Sequence, residues 1–423
     1  MKRRNVYRVC ALLSVVIFGL ILRILQWNDY LIYPDSYSYL TKSRDALVCT
    51  KIFYCTIVDL FTNIFSNPEL ALRVLSLVLS TASIVLVCFI FEKRRRGIGL
   101  VASLLFAVSF TICSWTNFIL PDFLAIFLLL LFLSLRQSTL SVVILLFAAL
   151  TRPEYVILLP VFAVTTATNK KMKILLFSFF AVATLYFIVF YGFTFGQVVL
   201  KAEPLYMLKK IIMLDPLLST LSILGLLIFI KKPDRLGYFF AVQLVLFSIV
   251  YIYNNPLNWR YSVHLILPLV YFSTVSLEFL VDKVKRGKSI YDYFVVGVII
   301  LLIFQLYITS FGVKDNIPKY NYESFVVTRS AEVVRLAGFS PRRIGTSFSK
   351  AVEYETEVEG FDPLKEPAQP GDLIILDRAL ANRGYVLGNA DKFKFLASFH
   401  TSMPYYIAGT MQLSGDVLLY RVR

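Results

Sequence analysis

Much of the usual equipment of soluble chemistry is scarce in this chain. Five cysteines and two histidines are spread over 423 residues. Five cysteines are too few for a disulfide scaffold. His264 and His400 lie far from each other and from any cysteine pair, so no zinc site is written into the spacing. Charged residues make up 17% and hydrophobic residues 58%, above the ~45–50% apolar content of soluble domains. Short alternating segments of the transmembrane-barrel kind are missing. So is a small-residue cleavage site after the first apolar run, which therefore reads as a retained helix and not a signal peptide. No internal repeat is visible, which argues against the paired halves of many transporters.

What is present is a series of long apolar runs, each ended by charge or turn residues. With a mean hydropathy of +0.71, that pattern predicts a polytopic α-helical membrane protein. About eleven transmembrane helices are expected, near residues 8–27, 71–91, 98–115, 122–135, 139–151, 154–168, 174–195, 212–230, 236–253, 262–281 and 290–311. The runs on either side of Thr151-Arg152-Pro153-Glu154 are too short to cross a ~30 Å core upright. They read as a pair that turns at or below the outer surface, with Arg152 and Glu154 facing a cavity.

The net charge is +16. Residues 313–423 hold 14 Lys/Arg against 13 Asp/Glu, so +15 of it belongs to residues 1–312. Segments expected on one side (the N-terminal arm, 92–97, Arg136, 170–173, 231–235 and 282–288) carry nineteen Lys/Arg, and the opposite loops carry eight. The positive-inside rule accounts for this without nucleic acid. It predicts a cytoplasmic N-terminus in the plasma membrane and an extracytoplasmic C-terminal region. Two domains follow: a membrane domain over 1–312, with a large first outer loop at 28–70, and a small α/β domain over 313–423. In the latter, Val326–Gly338 reads as a helix. Arg343–Ser347, Leu373–Leu376 (after the turn Pro370-Gly371-Asp372), Phe393–Phe399 and Asp416–Val422 read as strands.

Several polar residues fall on the outer side. Asp35 follows Pro34 in the first loop and is either a helix cap or a base. Asp122 opens a helix after Pro121, where the dipole favours an acid. Arg152 and Glu154 read as an internal ion pair or as a cation holding a lipid phosphate. Arg260 and Tyr261 fit an interfacial belt or a phosphate contact. Lys201, with Lys209 and Lys210, fits a solvated face. Cys49 and Cys55 share the first outer loop. On one helix their Cα atoms would stand about 9 Å apart, too far to join, so only a non-helical loop could bridge them.

Taken in order, five motifs resemble the GT-C membrane glycosyltransferases, in the branch of protein O-mannosyltransferases and lipid A aminoarabinose transferases. They are Asp35 with Tyr39-Leu40, Asn67–Arg73, Pro121-Asp122, Thr151–Glu154, and Arg260-Tyr261 followed by Leu265–Pro268. The resemblance covers about residues 8–312. It implies inverting transfer of a sugar from a polyprenyl- or dolichyl-phosphate donor to a hydroxyl of a glycan, lipid or protein acceptor. Asp35 would be the base, and Asp122 would orient the acceptor or stabilise the reacting centre. Tyr39, Arg152, Glu154, Lys201, Arg260 and Tyr261 would bind substrate. Where many members carry two adjacent acids, Asp35 is followed by Ser36. That weakens the case for a metal, although a divalent ion stays open. A secondary transporter or lipid flippase is the alternative reading.

Overall fold

The computed structural model describes residues 2–27, 39–40, 51–135, 139–165, 170–191, 211–254, 259–284, 290–311, 318–336, 340–377, 380–381, 384–387, 390–400, 404–407, 410–413 and 416–423. The chain divides into two compact units. One comprises Met1–Trp27, Leu47–Ile57 and Leu70–Val313; the other comprises Asn28–Ala46, Val58–Glu69 and Lys314–Arg423.

The first unit is helical: α1 (Lys2–Leu25), the start of α2 (Ile52–Ile64), α3 (Pro68–Glu92), α4 (Ile98–Ala107), α5 (Phe110–Trp115), α6 (Pro121–Ser134), α7 (Thr139–Thr151), α8 (Leu158–Thr165), α9 (Lys170–Tyr191), α10 (Pro216–Lys231), α11 (Arg235–Asn254), α12 (Ile266–Val284) and α13 (Ile290–Phe311). Among the described residues, four helical stretches are long and apolar enough to cross a membrane: Val6–Leu25, Pro68–Glu92, Tyr261–Val284 and Tyr293–Phe311. Of the other apolar helices, α9 and α11 are of similar length and the rest are shorter; helical segments occupy the expected positions, and among the described residues the count of eleven spans is not confirmed.

The expected span at 98–115 is two helices, α4 and α5, with a break at Val108-Ser109. A break inside an apolar unit leaves backbone groups to be satisfied by side chains. Asp215 accepts hydrogen bonds from the Phe110 and Thr111 backbone nitrogens (2.8 and 3.1 Å) and from the Thr111 hydroxyl. Gln305, from α13, donates to Asp215 (3.2 Å). Thr309 donates to the Val108 carbonyl (2.7 Å), and Arg23, from α1, reaches the Ala107 carbonyl (3.4 Å) and Ser80 Oγ (2.7 Å). Charged residues inside apolar runs thus sit where the helix is interrupted.

A second polar group joins segments that the charge pattern assigns to one side. Arg8 pairs with Glu92 (3.1 Å), Arg94 with Asp234 and Glu278 (3.5 and 3.3 Å), and Arg95 with Asp282 (2.7 Å). Asp234 also caps α11 through the Gly237 nitrogen (2.6 Å) and accepts from the Tyr271 hydroxyl. The α10–α12 contact is close. A Cβ on Gly225 would stand 1.7 Å from the Phe272 carbonyl oxygen, so only glycine fits.

In the second unit, helices α14 (Pro318–Leu336) and α15 (Ser349–Thr356) accompany a five-stranded sheet of order β2-β1-β3-β7-β4. β1 (Ile344–Gly345) pairs in parallel with β2 (Gly360–Phe361) and β3 (Leu373–Leu376), in the register Ile344↔Gly360 and Ile344↔Leu373. β7 (Asp416–Val422) runs antiparallel to β3 and to β4 (Phe393–His400). β5 (Pro404–Ile407) and β6 (Thr410–Leu413) form a separate antiparallel pair. Gly371, with φ +92°, makes the turn into β3. There Arg343 donates to Asp372 (2.8 Å), and that hydrogen bond raises the guanidinium above its ordinary pKa.

Cys55 is disulfide-bonded, while Cys10, Cys88 and Cys113 are free. Cys49 lies outside the described residues.

Candidate functional site

Two proline-led helix starts and one 3-10 turn build the site. A residue before proline is pushed towards extended backbone. Leu120 (φ −137°, ψ 143°) precedes Pro121 and starts α6, so Asp122 falls in the first turn, at the positive end of the helix dipole. Arg152 (φ −140°, ψ 106°) precedes Pro153, which ends α7 at Thr151 and opens a 3-10 helix over Pro153–Ile157. A second 3-10 helix, Trp259–Leu265, carries Tyr261 and His264 and leads into α12.

These three pieces, far apart in sequence, meet in one cluster. Arg152 Nη2 lies 2.6 Å from Asp122 Oδ1. His264 Nε2 approaches the same oxygen at 2.7 Å. The Tyr155 hydroxyl is 2.8 Å from His264 Nδ1. Arg152 Nη1 is 3.7 Å from Glu154 Oε1, and the guanidinium carbon lies 5.2 Å from the centroid of the Tyr261 ring. Arg152 is 1% exposed and Asp122 is fully buried, whereas the Glu154 side chain keeps 21% of its surface. Tyr261 is partly exposed.

Donor arithmetic fixes one proton of the imidazole. Arg152 has only donors, and the Asp122 carboxylate only accepts. Nε2 therefore carries the proton it gives to Asp122, and Nδ1 shares a second hydrogen bond with the Tyr155 hydroxyl. The 3.2 Å approach of Arg152 Nη2 to His264 Nε2 is then a contact between two donors that share one acceptor. Phe247 and Tyr155 box the ring at centroid distances of 6.2 and 5.5 Å, and Gln243 holds the His264 carbonyl (3.2 Å). Within the cluster one guanidinium, that of Arg152, faces two carboxylates, those of Asp122 and Glu154.

Of the residues expected at the site, Asp122, Arg152, Glu154 and Tyr261 are brought together. Asp35 and Lys201 lie outside the described residues. Arg260 is in the second 3-10 helix, and its side chain is not among those described. Tyr39 is buried, at 8% exposure, and belongs to the second unit. Among the described residues no group of three His, Cys, Asp or Glu side chains is arranged to hold a metal ion. Sequence reading missed His264 and Tyr155. A signal existed for the first: an ionisable residue inside an apolar run is a functional candidate by default, and His264 follows Tyr261 by three positions.

Comparison with family models and with curated proteins finds no match. Among solved structures the chain is similar to the oligosaccharyltransferase of Archaeoglobus fulgidus, an enzyme of the GT-C type. Against that protein tethered by a disulfide to an acceptor peptide containing the NVT sequon, the TM-score is 0.53 at 10% identity, covering 83% of this chain and 63% of the other. Against its complex with Zn and sulfate, the values are 0.50, 11%, 82% and 61%. This chain therefore spans less than two thirds of its structural neighbour's length, and what the two share is a GT-C-like fold.

Proposed function

We propose that this protein is an integral-membrane glycosyltransferase that moves a sugar from a polyprenyl- or dolichyl-phosphate donor to an acceptor hydroxyl on the outer face of the membrane. The observation that carries this reading is the convergence of three separate polar motifs into one charged cluster within a GT-C-like fold. The neighbour's peptide acceptor, and its capacity to take up sulfate, a tetrahedral oxyanion like phosphate, support the same substrate classes here. The disulfide at Cys55 supports an oxidising, extracytoplasmic first loop.

In this mechanism Asp35 accepts the proton of the acceptor hydroxyl as its oxygen attacks the anomeric carbon. The bond from that carbon to the phosphate oxygen breaks, and the lipid phosphate leaves with the electron pair, inverting the configuration. Charge developing on the phosphate calls for nearby cations, a role assigned to Arg260 and Lys201. Arg152 is already engaged by Asp122. We assign the pair to positioning: together with His264 it fixes Glu154 and Tyr261 relative to the start of α6.

Purified membranes supplied with radiolabelled polyprenyl-phosphate sugar test the reading. Asp35→Asn should abolish label transfer in a folded protein. Undiminished transfer by that variant would remove Asp35 as the base. Transbilayer lipid flux without any covalent product would instead establish the flippase alternative.

A further inference from the structure

We propose that Glu154 and Tyr261 form the subsite for the donor's sugar ring. The inference rests on the glycosyltransferase reading and deepens it. The cluster's two carboxylates differ in kind. Asp122 is enclosed, and one of its oxygens accepts from both Arg152 and His264. Glu154 is set apart. Its 3.7 Å separation from Arg152 Nη1 is an ion pair without a hydrogen bond. Its Oε2 is shielded from solvent and has no hydrogen-bond partner among the described residues, yet the side chain as a whole reaches the surface.

A carboxylate oxygen in that state calls for a donor from outside the cluster. On the same guanidinium, Tyr261 offers a partly exposed aromatic ring with the Arg152 cation against it. A carboxylate next to an aromatic ring suits a pyranose, whose hydroxyls donate hydrogen bonds while its C–H face packs on the ring.

Charge separates this ligand from the phosphate. Arg152 is already shared between two carboxylates and has no spare charge with which to hold a lipid phosphate, whereas a neutral sugar needs none. Lys51, which immediately precedes α2, also acts electrostatically on Glu154. Phe53, two residues later, meets Phe147 of α7 at 4.6 Å between ring centroids. The subsite therefore lies where the beginning of α2 packs against the end of α7, within the first unit.

The test measures binding of three probes to the full chain in nanodiscs: decaprenyl phosphate, decaprenyl phosphomannose and decaprenyl phosphoglucose. The wild type should bind at least one sugar-bearing lipid about tenfold or more tighter than the bare phosphate, as one or two hydrogen bonds to a carboxylate allow. Glu154→Gln and Tyr261→Leu should each erase most of that advantage and leave the affinity for decaprenyl phosphate within about twofold, while Tyr261→Phe should retain it. The two tyrosine variants decide the matter if Glu154→Gln does not fold. Equal weakening of all three lipids, or an advantage that survives Tyr261→Leu, overturns the subsite. So does a wild type that binds sugar-bearing and bare lipids alike. A wild type that binds none of the three overturns the glycosyltransferase reading itself, and the subsite with it.

Discussion

Replacing Arg152 with methionine keeps most of the side-chain volume and removes the charge. It leaves Asp122, fully buried, without the Arg152 cation. Breaking a buried ion pair from one side costs about 3–5 kcal/mol, because the remaining charge has been taken out of water without compensation. His264 keeps its 2.7 Å hydrogen bond to the same oxygen, which places the expected loss at the lower end, about 3 kcal/mol. At roughly 2 °C per kcal/mol for a large domain, the melting temperature in detergent should fall by about 6 °C. The paired variant Asp122→Asn with Arg152→Met has no orphaned charge and should regain most of this. The coupling in the double-mutant cycle should be about 2 kcal/mol or more. Fluorescence-detected size-exclusion chromatography after heating gives all four melting points. A loss below about 1 kcal/mol, of the size measured for exposed pairs, would refute the argument that the cluster is enclosed. So would additive single variants.

Two further outcomes follow from the packing. Asp215→Ala should leave the Phe110 and Thr111 nitrogens without this acceptor and cost about 2–6 kcal/mol, at ~1–3 kcal/mol per orphaned buried group; Asp215→Asn, which still presents one carbonyl oxygen, should cost less. The same thermal assay checks both. Gly225→Ala should push α10 off the Phe272 carbonyl and lower the yield of folded protein sharply. A melting point within 2 °C of wild type would show that the contact is slack.

How far the sequence reaches can be read from particular residues. Helix positions followed from apolar run length, and β3, β4 and β7 from their β-rich stretches. Pro121-Asp122, Thr151–Glu154 and Arg260-Tyr261 were visible as motifs, and the charge pattern put them on one side. That Asp122 and Arg152 share an ion pair was not legible, because they stand thirty positions apart and the helix and turn between them set their approach. His264 was hidden by its surroundings: a single imidazole among Val, Leu and Ile has no periodic signature. The break at Val108-Ser109 was missed because Phe, Val and Ser there continue a span-like run. The clue lay elsewhere, in Asp215 just before Pro216, a carboxylate inside an apolar segment. The β5–β6 pair went unseen because neither Pro404–Ile407 nor Thr410–Leu413 has the unbroken aliphatic run that marks the equally short β3.

The interrupted helix has a consequence for biosynthesis. The Val108 carbonyl is capped by Gln305 and Thr309, which are synthesised 197 and 201 residues after it, and its neighbouring nitrogens wait 104–105 residues for Asp215. A ribosome extending at ~5–20 residues per second reaches α13 about 10–40 s after α4. Until then the Val108 carbonyl lacks both of these donors, and the α4–α5 joint must remain next to water or the insertion machinery. Burial of this joint is thus completed only once α13, the last helix of the first unit, is made, and truncations that stop before α13 should be retained by the translocon or degraded.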